Sequence, residues 1–281
     1  MQTCMRFSRV SSFQAMNNQL NEIVSVVIPY NPEVTPEGML RESKESVKQQ
    51  EGIDTDIILV EDTENGPAWA RNRGMERSKT RFVAFLDADD LWKQNKLQRQ
   101  LTKIKQTKAG ICIEGEEMNL EELIKGFLSG SIVSITSSIL IDTQKVNVMF
   151  NEDIYRFEDH LFVIQAAKEG GICFCEDVIV SRKHEEGLSA NEDSLKKNKA
   201  RIKKGEILLD TVPESTPYLD THMRKANYGV GRALQRRGQS IAALRYFFES
   251  TRYGIHYKTF AAILLTPVYA TLGKLMNENM Y

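Results

Sequence analysis

Three short apolar runs constrain this chain most: 23-IVSVVI-28, 56-DIILV-60 and 82-FVAFL-86. Each is rich in β-branched or aromatic residues, so each reads as a buried strand. Helical patterns lie between them, from about Gly38 to Gln50 and from Pro67 to Ser78. Pro29 closes the first run, because a proline in mid-strand would lose a ladder bond. Pro67 suits a first helical turn, where its missing N–H is no loss. This alternation implies an α/β fold, with a mostly parallel central sheet, right-handed crossovers and flanking helices.

In such sheets ligands bind beyond the carboxyl ends of the strands. The first run ends in Pro29-Tyr30-Asn31 and the second in Glu61-Asp62. The third ends in 86-LDADDLW-92, which carries Asp87, Asp89 and Asp90. Like charges this close repel. A hard divalent cation relieves the repulsion, since every ligand is an oxygen; Mg²⁺ or Mn²⁺ usually also bridges a phosphate. The residues therefore suggest a metal-bound phosphate or diphosphate. Structural roles stand beside that reading. Asp90 suits the N-cap of a helix spanning Trp92 to Lys105, Asp62 suits a turn cap before Gly66, and Trp92 suits packing. No G-x-G-x-x-G follows the first strand and no G-x-x-x-x-G-K-[ST] is present, which lowers a dinucleotide dehydrogenase and a P-loop enzyme.

Further along, short strands are expected at Gly110 to Ile113 and Ser131 to Ile141, with a helix around Asn119 to Leu128. The segment 157-FEDHLFVIQAAKEG-170 reads as a helix closed by glycine. Glu158 and Asp159 open it, where the helix dipole favours carboxylates. The pair also suits a general base, and position alone leaves both roles open. Strands at 171–175 and 178–182 follow, then His184, a loop histidine that is either solvated or a ligand. From Asn191 almost everything reads helical. The expected organisation is a flexible lead at 1–21, the α/β domain at 22–190 and a helical extension at 191–281.

A chain of 281 residues allows one large domain, or one domain with a tail. The four cysteines show no zinc spacing. Cys173 and Cys175 are expected on opposite faces of a strand, which argues against a mutual disulfide and fits a reducing cytosol. The net charge of -1 gives no reason to expect a nucleic-acid partner. It hides an uneven spread. Thr221 to Tyr281 hold nine Lys or Arg and two acids, a net of +7; the rest hold 28 and 36, a net of -8. Within that basic tail, 232-RALQRRGQSIAALRYFFESTRYG-254 interleaves arginines with apolar residues. It reads as packed helices with a solvated basic face, or as a surface for anionic lipid. No apolar run of about 20 residues exists, so no membrane span is expected.

Together these pieces resemble a family-2 glycosyltransferase of the GT-A fold, from about Ile23 to Ser189. The family's opening strand is similar to 24-VSVVIPYN-31 and its strand-end acids to 59-LVED-62. Its A-R-N-x-G helix is similar to 70-ARNRG-74, and its metal motif to 86-LDADDLW-92. Its E-D motif is similar to Glu158-Asp159, preceded by 150-FNE-152, and its R-x-H segment to 182-RKH-184 with Ser189. Two departures touch base recognition: Pro-Tyr-Asn is one residue short of the common P-x-Y-N, and Thr-Glu-Asn-Gly replaces the usual Gly-Ser after Asp62.

The resemblance implies a Rossmann-like GT-A sheet and an inverting, Mg²⁺- or Mn²⁺-dependent transferase. Pro29, Tyr30 and Asn31 would line the nucleotide pocket, and Asp62 would meet the base, with Glu61 beside it. Arg71 and Asn72 would lie near the donor, with Asp87 and Ala88 on the ribose or sugar. Asp89 would hold the metal, His184 would be a further metal or phosphate contact, and Asp159 would be the general base. The implied donor is a nucleotide sugar, UDP-linked by preference, and the acceptor a glycan or lipid-linked hydroxyl. The implied setting is cell-surface polysaccharide or glycolipid synthesis in the cytoplasm, at the inner face of the membrane, with the basic helices touching anionic lipid. Three rivals fit less well. A sugar nucleotidyltransferase lacks its glycine-rich opening loop here, and a non-catalytic nucleotide-sugar scaffold would not need Asp159. A receiver domain built on 57-IILVED-62 leaves the later acids unused.

Overall fold

The computed structural model describes residues 22–132, 136–154, 156–180 and 193–278, with side chains to 267. The opening alternation is β1 (Ile23–Tyr30), α1 (Glu37–Lys48), β2 (Asp54–Glu61), α2 (Pro67–Arg77) and β3 (Phe82–Phe85). Next come β4 (Leu91–Trp92), α3 (Lys96–Thr107), β5 (Ile111–Glu114), α4 (Leu120–Ser129) and β6 (Leu140–Asp142). Then follow α5 (Glu158–Gly170), β7 (Ile172–Cys175), β8 (Ile179–Val180) and four helices: α6 (Ser194–Thr211), α7 (Thr216–Arg236), α8 (Ser240–Arg252) and α9 (Tyr257–Glu278).

The main sheet runs β2-β1-β3-β6-β5-β7. β1 is parallel to both β2 and β3, β5 is parallel to β7, and β6 is antiparallel to both of its neighbours. It is therefore mixed and mostly parallel, as the alternation predicts. β1 is an interior strand between β2 and β3, with Val24, Ser25, Val26, Val27 and Ile28 all buried. It runs through Pro29 to Tyr30 beside β2, past the proline expected to close it, because the ladder with β3 has already ended at Val27. A strand covered on both faces reads as a continuous apolar run. α2 packs tightly against it: a Cβ on Gly74 would come within 2.2 Å of Val27 Cγ1. The glycine of 70-ARNRG-74 thus answers to helix–strand packing. At the start of α2, Gly66 takes a φ of 91°, which suits glycine, and Pro67 follows in the first turn.

Three further local expectations are corrected. α3 starts at Lys96 rather than Trp92, because Leu91 and Trp92 pair with Val180 and Ile179 and the Lys93 amide donates to the Val178 carbonyl. Asp90 consequently caps no helix. Of the strand expected at Ser131 to Ile141, residues 133–135 lie outside the described set, Thr136–Ser138 form a 3₁₀ turn, and β6 starts only at Leu140. Hydroxyl side chains there compete with a strand ladder. Finally, Cys173 and Cys175 are two residues apart on β7, so they share a face. They meet Cys112 on β5, whose Sγ lies 3.8 Å from that of Cys175. All three are buried free thiols. In the last predicted strand of this part, β8 covers Ile179–Val180, and residues 181–192 lie outside the described set.

The described residues group into two compact units. One takes residues up to 117 with 135–150 and 166–187, and it holds the whole main sheet. Its core includes Val26, Ile28, Phe82, Leu86 and Leu97. The other takes residues 118–134, 151–165 and those from 188 onward. Val230, Leu234, Ala243, Phe247 and Ala262 form a core there, where α7, α8 and α9 meet.

Candidate functional site

β1, β2 and β3 are parallel neighbours, so their carboxyl ends share one edge. Tyr30 stands opposite Glu61, and Val27 opposite Phe85. Beyond the ladders, the Asp62 amide donates to the Tyr30 carbonyl at 2.9 Å, and Leu86 to Val27 at 3.0 Å. Asn31, Glu61, Asp62 and Asp87 therefore leave adjacent strands on the same side.

Asn31 and Asp62 are each held by their own turn. The Asn31 carbonyl accepts from the Thr35 amide at 2.9 Å, and its side chain from the Glu33 amide at 2.9 Å. The Asp62 carboxylate accepts from the Asn65 amide (2.9 Å), Asn65 Nδ2 (2.7 Å) and the Gly66 amide (2.7 Å). Desolvation pushes its pKa up, but those hydrogen bonds outweigh it, so the net shift is downward. Asp62 thus caps the turn that leads into α2.

The three acids after β3 are managed differently. Asp87 Oδ1 accepts from Arg71 Nη2 at 2.8 Å, a pair whose arginine is deeply buried. The Arg71 guanidinium lies 5.3 Å from the centroid of Phe150, and Phe150 meets Phe85 edge-on at 5.1 Å. Asn72 holds that floor. Its Nδ2 donates to the Phe150 carbonyl at 2.9 Å, and its Oδ1 accepts from the Phe150 amide at 2.8 Å. Asp90 is buried and accepts from Ser137 Oγ at 2.6 Å. The same Ser137 Oγ accepts from the Asp87 amide at 3.1 Å, and the Ser137 carbonyl accepts from Trp92 Nε1 at 2.7 Å. Trp92 is a buried packing residue, as expected. Ala88 is buried, and its carbonyl accepts from Ser43 Oγ at 2.8 Å. Asp89 is half-buried between these two anchored acids.

Sequence reasoning missed Ser137, and took Phe150 only as part of 150-FNE-152, with no role at this edge. Ser137 lies 47 residues from Asp90, so no local pattern announces it. Asn72 is brought to the same layer as Arg71, but its amide faces Phe150.

Among the described residues, no group of three or more His, Cys, Asp and Glu side chains is arranged to hold a metal. Mg²⁺ does not require such a cage: one or two carboxylates, substrate phosphates and waters suffice. The oxygen-only set at 87–89 fits that manner of binding. His184 lies outside the described residues. A cavity of about 670 Å³, lined in part by Arg99, Lys103, Glu117 and Phe174, shares no residue with the acidic edge. The strand ends, not that cavity, carry the arrangement described here.

In the second unit, Asp159 sits in the first turn of α5, where its Oδ1 accepts from the His160 amide at 2.8 Å. Phe157, just before the helix, has a φ of 72°. Bulky side chains rarely take that conformation.

The architecture is that of a GT-A fold. S. aureus TarS superposes with a TM-score of 0.53 at 12% identity, over 88% of this chain and 52% of TarS. A structure of S. aureus TarS 1-349 in complex with UDP-GlcNAc gives 0.52 at 12% identity, over 88% and 86%. At that identity the likeness shows the fold alone. Sequence goes further, since residues 42–122 match the model of glycosyl transferase family 2. That segment includes the 70-ARNRG-74 and 86-LDADDLW-92 motifs on which the resemblance rests. The Bacillus subtilis protein TuaG, named for teichuronic acid biosynthesis, is 48% identical over 60 residues, 21% of this chain and 24% of TuaG. The amylovoran biosynthesis glycosyltransferase AmsB of Erwinia amylovora is 29% identical over 147 residues, 44% of this chain and 48% of AmsB. The Escherichia coli UDP-Glc:alpha-D-GlcNAc-diphosphoundecaprenol beta-1,3-glucosyltransferase WfgD is 42% identical over 45 residues, 16% of this chain and 18% of WfgD. The matched segments span less than half the length of these relatives.

Proposed function

We propose that this chain is a metal-dependent, inverting glycosyltransferase that moves a sugar from a UDP-sugar to an acceptor hydroxyl. The observation that carries the reading is the shared edge of three parallel strands, where Asn31, Glu61-Asp62 and Asp87-Ala88-Asp89 emerge side by side. The match of residues 42–122 to the family model supports it, as do relatives named for polysaccharide synthesis and the UDP-GlcNAc complex of TarS.

Pro29, Tyr30 and Asn31 line the nucleotide pocket, and Asp62, with Glu61 beside it, faces the base from its turn. Arg71 and Asp87 act as one unit: the buried guanidinium fixes the carboxylate that meets the ribose or sugar, with Ala88 alongside. Asn72 serves the donor through Phe150. Asp89 would hold Mg²⁺ or Mn²⁺, with His184 as a further contact; when bound, the ion would neutralise charge on the departing nucleoside diphosphate. Asp159 takes the proton from the acceptor hydroxyl as it attacks the anomeric carbon. A single displacement inverts the configuration there.

The acceptor is a glycan or lipid-linked saccharide, and the chain works at the inner face of the membrane. Among the described residues no helix is long and apolar enough to cross a bilayer. Contact comes instead from α8 and α9. Ile241, Arg245, Phe248 and Arg252 follow one face of α8 and are exposed. Tyr257, Phe260 and Leu264 do the same on α9. Apolar and basic side chains on one face suit an anionic interface.

The test of the base is turnover by Asp159→Asn. The expected result is a loss of 10²-fold or more, roughly the contribution of a general base, with UDP-sugar binding intact. Near-normal turnover with intact binding rejects the assignment.

A further inference from the structure

The helical region contributes a buried lysine that no motif accounts for. Lys204, on α6, is only 1% exposed. Its Nζ donates to the Phe127 carbonyl in α4 at 3.0 Å and lies 3.4 Å from His160 Nδ1. It also lies 4.6 Å from the centroid of the Phe157 ring. Phe157 and His160 are the residues on either side of Glu158-Asp159. One ammonium therefore touches both flanks of the acidic turn.

That turn needs holding. Phe157 carries the left-handed φ of 72°, a conformation that persists only where the surroundings impose it. Its ring is held by Lys204, by the Arg201 guanidinium at 6.0 Å and by the His160 ring at 5.3 Å. His160 in turn stacks on Phe127 at 4.3 Å. The lysine ties α4, α6 and the start of α5 together.

The electrostatics point the same way. The titratable groups around this ammonium are Asp159 and His160 on α5, Arg201 on its own helix, His222 on α7 and Arg156 before α5. Asp159 is the one negative group among them. Burial pushes Lys204 down to about 7, and Asp159 is the neighbour that favours its charged form. His160 and His222 are pushed down to about 2 and about 4, first by burial and then by Lys204, so the neutral form of both is favoured near neutral pH. Below neutral pH Lys204 is thus a buried cation that interacts favourably with Asp159.

We infer that Lys204 is a positioning residue for the Glu158-Asp159 turn: it clamps Phe157 and His160 and favours the ionised form of Asp159. Only the kinetic consequence rests on reading Asp159 as the general base.

The full chain is labelled with ¹³C at aspartate carboxyl carbons, and the Asp159 signal, assigned with Asp159→Asn, is titrated. Removing an adjacent cation should raise the Asp159 midpoint by about half a unit or more in Lys204→Met. It should stay near the wild-type value in Lys204→Arg, which keeps the charge. The acid limb of UDP release from UDP-glucose and UDP-GlcNAc should rise by the same amount in Lys204→Met. An unmoved Asp159 midpoint in folded Lys204→Met overturns the proposal. If Lys204→Met does not fold, Lys204→Gln serves, read against the same criterion. A shifted midpoint with full turnover in Asp159→Asn keeps the positioning role and rejects Asp159 as base.

Discussion

Asn72→Ala should weaken the protein far more than an ordinary asparagine substitution. The side chain is nearly inaccessible, and its amide makes two hydrogen bonds, 2.8 and 2.9 Å long, to the backbone of Phe150. Phe150 is equally buried, so water cannot readily replace either bond. A typical hydrogen bond contributes about 1 kcal/mol net, and a buried group stripped of its partner costs about 1–3 kcal/mol. Two such losses give roughly 2–4 kcal/mol. In a chain of this size, each kcal/mol lowers Tm by about 2–4 °C. A fall of roughly 4–15 °C is therefore expected in a thermal melt. Asn72→Asp should fall in between, since a carboxylate accepts from the Phe150 amide but cannot donate to its carbonyl. UDP-sugar affinity should drop as well, because Phe150 supports Arg71 and, through it, Asp87. A cost below about 0.5 kcal/mol for Asn72→Ala, the level of ordinary surface changes, would refute the claim that this clamp organises the edge.

Further outcomes follow from other contacts. Gly74→Ala places a methyl group 2.2 Å from Val27 Cγ1, so it should cost about 1–3 kcal/mol in a denaturant titration; a neutral result would mean that α2 is free to shift on β1. Lys96 is fully buried 4.1 Å from the centroid of the Trp92 ring, and burial pushes its pKa down from 10.5 to about 7. A depressed lysine pKa is a stability cost, complete below the folded value and fading as pH rises toward the unfolded one. The stability of Lys96→Met relative to wild type should therefore fall by about 2–3 kcal/mol between pH 6 and pH 9, and a pH-independent difference would contradict it. Paired Ile241→Glu and Phe248→Glu changes should abolish retention on anionic vesicles at low salt, whereas undiminished retention would clear α8 of that role.

The central part of the fold is legible because β1, β2 and β3 form through local runs. A strand buried on both faces announces itself, and Gly66 and Pro67 mark the start of α2, whereas Pro29 does not end β1, which pairs on to Tyr30. What stays hidden depends on distant partners. Leu91 and Trp92 look like the start of a helix until Val180 and Ile179 arrive to pair with them. Asp90 looks like a cap until Ser137 comes within 2.6 Å. The face shared by Cys173 and Cys175 was within reach of the period-two rule, and the expectation of opposite faces misapplied it. For the site, the motif residues identify the acidic edge, but not how its charge is distributed. That Arg71 anchors Asp87 while Asn72 anchors Phe150 follows from their directions on α2, which spacing alone does not resolve.

The central claim is that the edge holding Asp87 and Asp89 binds a nucleoside diphosphate through a divalent cation. Calorimetric titration of UDP into the full chain, with and without Mn²⁺, tests it most directly. The account predicts Mn²⁺-dependent binding by the wild type and loss of that binding in a folded Asp89→Asn variant. Binding that needs no metal, or that Asp89→Asn leaves unchanged, would contradict it.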